Sequence, residues 1–194
     1  MASVLLRNNL LRNLFINFRC NAKRFQSTSI NTIIDPSFEL TTDQIQLQEM
    51  ALNFALNEFR PYMKEWDENE HFPRDQMRKG AELGFAGLYL PVEDGGSGLS
   101  RLETSIVVEA LAQGCVSTTA LLTIHNMATN LICCYGNEEL KKRFLPDLTS
   151  FKKMASYCLT EPGAGSDAGN LSTSAVRKDG YYIGKIKHFL PLDE

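Results

Sequence analysis

The chain has little of what metal, disulfide and nucleotide-phosphate chemistry require. Its five cysteines, Cys20, Cys115, Cys133, Cys134 and Cys158, are odd in number and include no C-x-x-C pair, so neither a disulfide framework nor a zinc site follows. Three histidines, His71, His125 and His188, are too scattered to define a metal site. No G-x-x-x-x-G-K-S/T run occurs, and Gly163, Gly165 and Gly169 give G-x-G-x-x-x-G, one residue too long for the dinucleotide fingerprint. Ser166 follows a glycine but is not centred in G-x-S-x-G, which removes a nucleophile elbow. Asn170-Leu171-Ser172 has the form of a glycosylation sequon, which matters only in a secreted protein. No repeat or low-complexity tract occurs, and no apolar run reaches the about 20 residues that span a bilayer.

Acidic residues are missing from one region only. Residues 1 to 34 hold Arg7, Arg12, Arg19, Lys23 and Arg24 with no Asp or Glu, a charge of +5, whereas the remainder, with 15 basic and 23 acidic residues, carries −8. That acidic remainder offers nucleic acid no basic field. Within the basic segment Leu6, Leu10, Leu14 and Phe18 recur at four-residue spacing, and Leu5, Leu11 and Phe15 fill the adjoining face. Arg7, Asn8, Asn9, Arg12 and Asn13 interrupt the about 7–15 apolar residues that a secretory signal needs. An amphipathic, Arg-bearing, acid-free start has the pattern of a mitochondrial transit peptide. Residues 1–28 are read as that peptide, with cleavage between Phe25 and Ser29, and residues 29–40 as a linker. A disordered basic tail or a membrane-surface helix is the alternative. At 194 residues, 43% hydrophobic and 22% charged, the chain can bury one real core and not two comfortable ones.

From Thr41 to about residue 150 the pattern is helical. Thr41-Thr42-Asp43-Gln44 offers a capping box before Leu47, Ala51, Phe54 and Glu58 at helical spacing, and this helix should end near Pro61. A short helix from Asp75 to Leu83 is expected, with Met77, Ala81 and Phe85 on its apolar side and Gly84 as its stop. Gly95-Gly96-Ser97-Gly98 reads as a loop. Leu102, Ile106, Ala110 and Leu111 mark a helix from Ser100 to Gly114. An apolar helix from Thr118 to Tyr135 and a charged one from Asn137 to Leu148 complete one helical layer. His125, in the apolar run, is read as a packing histidine and not as a base. Cys133 and Cys134, adjacent on a helix, point to different faces and are read as small buried hydrophobes.

After Phe151 short β-type runs take over: Ala155 to Thr160, Thr173 to Arg177 and Tyr181 to Ile186. In the first, Met154, Ser156, Cys158 and Thr160 share one face, and Ala155, Tyr157 and Leu159 the other. It breaks into Glu161-Pro162-Gly163-Ala164-Gly165-Ser166-Asp167. Gly163 and Gly165 carry no Cβ, so the backbone is free to take positive φ and bring N–H groups close to a ligand, with the Thr160 and Ser166 hydroxyls beside them. Such donors suit a planar, acceptor-rich heterocycle or a pyrophosphate. An ordinary surface turn would use the same residues. Two or three strands leave an open sheet with exposed edges.

Tyr157 to Asp167 closely resembles the signature of the FAD-dependent acyl-CoA dehydrogenases. The resemblance extends over roughly residues 36 to 183, through Asp35-Pro36, Phe85-Ala86-Gly87-Leu88-Tyr89-Leu90-Pro91, Gly95-Gly96-Ser97-Gly98-Leu99, His125-Asn126 and Tyr135-Gly136-Asn137-Glu138-Glu139. Ser117 to Met127 and Phe151 to Asp167 are most similar to members acting on a short branched acyl chain in valine breakdown, with other short branched-chain and butyryl relatives as the alternatives. The resemblance implies an α+β fold: the family's N-terminal all-α helical domain over residues 41–150, followed at 151–194 by the incomplete start of its middle β domain, with the C-terminal helical domain absent. It implies oxidation of an acyl-CoA thioester to the 2-enoyl-CoA with FAD as cofactor and an electron-transfer flavoprotein as acceptor, in a homotetramer of the mitochondrial matrix. By matching positions, Tyr157, Leu159, Thr160, Gly165 and Ser166 are the flavin-contacting set, Ser166 also lying near the acyl-CoA.

The catalytic Glu of the family does not map, since it belongs to a C-terminal domain past residue 194, and Glu161 is not its substitute. After Tyr181-Tyr182-Ile183 the chain departs from its relatives; Phe189 stands near an aromatic flavin contact, one residue short in register, and receives no role. Two functions are therefore expected. One is a truncated acyl-CoA dehydrogenase, inactive and unable to hold FAD as 194 residues alone. The other is a non-catalytic helical interaction module derived from that fold.

Overall fold

The computed structural model describes residues 39–185. The transit-peptide reading, nearly all of the linker, Phe189 and the close of the chain lie outside them.

Helices start where the sequence supplies acceptors for the orphan amides of a first turn. Thr41 caps α1 (Thr42–Phe54): its hydroxyl accepts the Gln44 N–H at 3.3 Å, and the Gln44 side chain accepts the Thr41 N–H at 3.1 Å. The helical path continues as a π-turn, Ala55–Phe59, and ends before Pro61, as the spacing predicts. Two short helices follow, α2 (Met63–Glu68) and α3 (Arg74–Glu82). Gly84 then stops the chain at φ +85°, where a residue with a Cβ would be strained, and its carbonyl accepts the Ser97 hydroxyl at 2.8 Å. Ser100 and Glu103 form a second capping box at the start of α4 (Arg101–Ala112). Cys115 Sγ accepts the Thr118 N–H ahead of α5 (Val116–Tyr135), and Asn137 Oδ1 accepts the Leu140 N–H ahead of α6 (Glu138–Thr149).

The core lies between α1, α4 and α5. Phe54 meets Phe59 and Phe85 edge-on at 5.2 and 5.4 Å, and Phe59 meets Trp66 at 6.2 Å. Ala51, Ala55, Met77, Val107, Leu111 and Leu122 fill the space between the rings. Met77, Phe85, Ile106, Ala110 and Leu111 are buried as their spacing predicts, and Ala81 is half-buried. Leu102 is not buried. It shares the Ile106 stripe but sits in the first turn of α4, beside the solvent-facing cap, and is 56% exposed. Cys133 is buried and Cys134 exposed, so only one of the pair packs: successive residues stand about 100° apart on a helix.

Asn126 ties the chain between α3 and α4 to α5. Its amide donates to the Phe85 carbonyl at 2.8 Å and the Leu122 carbonyl at 3.0 Å, and its Oδ1 accepts the Leu88 N–H at 2.8 Å. After α6 the chain reverses at Phe151, buried with φ +51°, and runs back over α5. Beyond it β1 (Ser174–Lys178) and β2 (Tyr181–Lys185) pair antiparallel with Val176 opposite Ile183. Asp179 and Gly180 both take positive φ between them, the conformation a two-residue hairpin turn demands. Together these elements are an α+β arrangement, helices first and strands after. Residues 155–160 do not join the sheet, contrary to the alternation: among the described residues the sheet holds only β1 and β2. An extended run is a strand only where a neighbour supplies a backbone ladder.

Candidate functional site

The run after Phe151 keeps its period of two without being a strand. Tyr157 and Leu159 turn inward and are half-buried, while Ser156, Cys158 and Thr160 are exposed. His125 fixes where this run begins. It is 2% exposed, its Nδ1 accepts the Ala155 N–H at 3.1 Å, and its Nε2 lies 3.1 Å from the Leu148 carbonyl. An N–H can only donate, so Nδ1 is bare and Nε2 carries the proton. Burial holds the ring's pKa below its ordinary value, and the ring packs on Phe151 at 4.3 Å. His125 is thus the packing histidine its apolar surroundings predict, with both nitrogens engaged.

Tyr157 reaches a cavity of about 540 Å³ between the start of α4 and α5, whose wall includes Tyr89, Leu99, Arg101, Met127 and Asn130. Burial raises the Tyr89 hydroxyl's pKa, leaving it a neutral donor on this wall. Of the five residues singled out for the flavin, only Tyr157 lines this cavity; Leu159 shares its inward face, and Thr160, Gly165 and Ser166 are exposed on the loop beyond. Neither Gly163 nor Gly165 uses positive φ, contrary to the reading of the loop. What the missing Cβ provides is room: nothing stands within 4 Å of where either Cβ would be.

The loop is closed from within. Glu161 and Ala164 exchange both backbone hydrogen bonds at 3.0 Å around Pro162 and Gly163. The Glu161 side chain, 5% exposed in its residue, accepts the Ser172 N–H at 2.7 Å and the Ser172 hydroxyl at 2.6 Å on Oε2, and the Thr173 N–H at 2.8 Å on Oε1. Those donors, the Ser172 bond foremost and then that of Thr173, hold its carboxyl down to about 2. The Ser172 hydroxyl of the formal sequon is therefore engaged by Glu161. Sequence reading missed Glu161's contribution although the signal was present, because the inward alternation through Tyr157 and Leu159 lands next on residue 161.

A larger groove of about 990 Å³ runs between the Gly84–Ser97 turn and α6, with Arg78, Lys141 and Lys142 set among Glu82, Glu93 and Glu138. Asp94, on its wall, accepts the Cys133 thiol at 3.2 Å; burial and that carboxylate push the thiol's pKa up to about 11, which leaves it inert as a nucleophile. Among the described residues no His, Cys, Asp and Glu cluster in a metal-binding arrangement, and no helix is long and apolar enough to cross a membrane.

Residues 41–152 match the acyl-CoA dehydrogenase N-terminal domain, and the chain belongs to the acyl-CoA dehydrogenase family. Among individual proteins it is 56% identical over 156 residues to a mitochondrial isobutyryl-CoA dehydrogenase of Dictyostelium discoideum, covering 80% of this chain and 38% of that one. It is 55% identical over 150 residues to the isobutyryl-CoA dehydrogenase of Bos taurus, covering 77% and 36%. A solved glutaryl-coenzyme A dehydrogenase in complex with glutaryl-CoA superposes with TM-score 0.65 at 34% identity, over 73% of this chain and 36% of that chain. PigA with FAD and proline superposes with TM-score 0.70 at 30% identity, over 78% and 40%. The chain spans 36% to 38% of the length of the two isobutyryl-CoA dehydrogenases.

Proposed function

We propose that the protein is an FAD-dependent dehydrogenase of short branched acyl-CoA thioesters, with isobutyryl-CoA as substrate and the corresponding 2-enoyl-CoA as product, in valine breakdown. The juxtaposition that carries this reading is the Tyr157–Ser166 run beside the cavity walled by α4 and α5, in a chain 55% to 56% identical to two isobutyryl-CoA dehydrogenases. The proposal extends to the mitochondrial matrix, to an electron-transfer flavoprotein as electron acceptor, to a homotetramer, and to the division into transit peptide (1–28), linker (29–40), helical domain (41–150) and opening of a middle β domain (151–194).

The residues present fit a flavin. Two exposed hydroxyls, Thr160 and Ser166, stand on a loop with open space over Gly163 and Gly165, and two tyrosines, Tyr89 and Tyr157, border the adjoining cavity. FAD, when bound, supplies the hydride acceptor. Around it Tyr157, Leu159, Thr160, Gly165 and Ser166 form the holding set: the aromatic and aliphatic side chains keep water from one side, and the hydroxyls and loop N–H groups donate to acceptor atoms. Ser166 is assigned to the thioester as well, on its position in the family's motif. No residue of the described chain is assigned as the base; Glu161 has its oxygens committed to Ser172 and Thr173 and its carboxyl held to about 2, far from the poise proton abstraction needs.

The test is flavin content and turnover of the full-length protein. The wild type should purify yellow and reduce an artificial acceptor with isobutyryl-CoA. Thr160→Val and Ser166→Ala should each weaken retention of FAD or substrate by about 1 kcal/mol, roughly fivefold. A colourless wild type, or two variants with unaltered flavin content and kinetics, would remove the site from this loop.

A further inference from the structure

Glu161 is the chemistry-bearing side chain that the proposed reaction leaves unused. It is a carboxylate facing inward among uncharged donors, and no lysine or arginine bridges to it among the described residues. A buried ion without a counter-ion is retained only where hydrogen bonds satisfy it, and here donors of Ser172 and Thr173 do so. The consequence is topological. Gly165 and Ser166 lie between Glu161 and Ser172, and Thr160 immediately precedes it, so one carboxylate fixes both ends of the segment that carries the proposed flavin contacts. The Glu161–Ala164 turn divides the same segment once more. A loop of this length closed only by chain continuity would sample many conformations, and holding it in one removes that ordering cost from the binding step.

We infer that Glu161 is the positioning residue of the flavin loop: by clamping Ser172 and Thr173 it sets where Thr160 and Ser166 present their hydroxyls, and it acts through them without touching substrate. This rests on the flavin reading above. Its low carboxyl pKa keeps the clamp charged throughout the physiological range.

The experiment compares the full-length wild type with Glu161→Gln and Ser172→Ala by three measurements: hydrogen exchange of amides 163–173, titration with FAD, and the visible spectrum at saturating FAD. In Glu161→Gln the carboxamide turns an –NH₂ toward groups that themselves donate. Exchange across the loop should quicken about tenfold or more, the FAD dissociation constant should rise about tenfold, and the bound flavin's absorption bands should shift, while exchange in α4 and α5 stays unchanged. Ser172→Ala, which removes one hydroxyl donor and leaves the others, should move all three readings the same way by less. Loop exchange that stays at the wild-type rate overturns the inference. So does faster exchange with FAD affinity and spectrum unmoved, since the carboxylate is then scaffolding alone. If Glu161→Gln loses protection in α4 and α5 as well, Ser172→Ala decides by the same measurements. A wild type that binds no FAD removes the flavin reading and this inference with it; a wild type that binds FAD beside an indistinguishable Glu161→Gln removes the inference only.

Discussion

Replacing His125 by Leu keeps an apolar side chain of similar reach and deletes both ring nitrogens. The half-buried Ala155 N–H then loses its partner, and the Leu148 carbonyl, in a residue 4% exposed, loses one acceptor contact and keeps the Phe151 N–H at 3.0 Å. A buried polar group left unsatisfied costs about 1–3 kcal/mol and the loss of one hydrogen bond from a group that keeps another about 0.5–1.5 kcal/mol; water can reach part of the way to Ala155, so about 1–3 kcal/mol is expected for the two together. The lost ring contact with Phe151 adds to this by roughly 0.5 kcal/mol or more. Urea denaturation followed by circular dichroism should show the midpoint falling by roughly 1 M or more, at an unchanged slope. The pH dependence gives a second reading with a definite sign. Burial lowers the ring's pKa in the folded state, so the unfolded chain takes up the proton first as pH falls below about 6.5. Stability contributed by the neutral ring is full above that pH and is lost as pH falls toward the folded pKa, with a slope of at most about 1.4 kcal/mol per pH unit for this one proton. In His125→Leu that component of the slope should vanish. A loss under about 0.5 kcal/mol, with the wild-type pH dependence retained, would refute the assignment of both nitrogens to backbone partners.

Two further outcomes concern the helical layer. Asn126→Ala leaves the Phe85 carbonyl and the Leu88 N–H without their side-chain partner in the core, and should cost about 2–4 kcal/mol in urea; a loss below about 1 kcal/mol would mean water or a shifted backbone replaces the amide. Gly114→Ala would set a Cβ 2.5 Å from the Ala55 carbonyl oxygen and 2.8 Å from the Ala55 Cβ, so the turn between α4 and α5 must move off the π-turn, costing about 1–3 kcal/mol; a variant melting with the wild type would show that the approach is not tight.

The helices were legible because their determinants are local. Thr41 with Gln44, Gly84 and Asn137 are signals carried by one turn of backbone, and a hydrophobic stripe such as Ile106, Ala110 and Leu111 needs only its own spacing to declare a buried side. The sequence also marked the 157–167 loop, and the family to which the chain belongs could be reached from motif order alone. Tertiary structure decided what locality cannot. Whether residues 155–160 form a strand depends on a neighbouring strand elsewhere in the chain, and β1 and β2 pair with each other instead. Burial of Leu102 depends on what lies opposite one turn of α4, and its stripe-mates are covered where it is not. Glu161 is the sharpest case. Alternation places a carboxylate on the inward face, but the donors that make it tolerable come from residues 172 and 173, brought within 3 Å only when the loop folds back on itself. Spacing along the chain sets which way a side chain points; what it meets there is set by segments distant in sequence, and a charged group is stable inside only where those segments supply its hydrogen bonds.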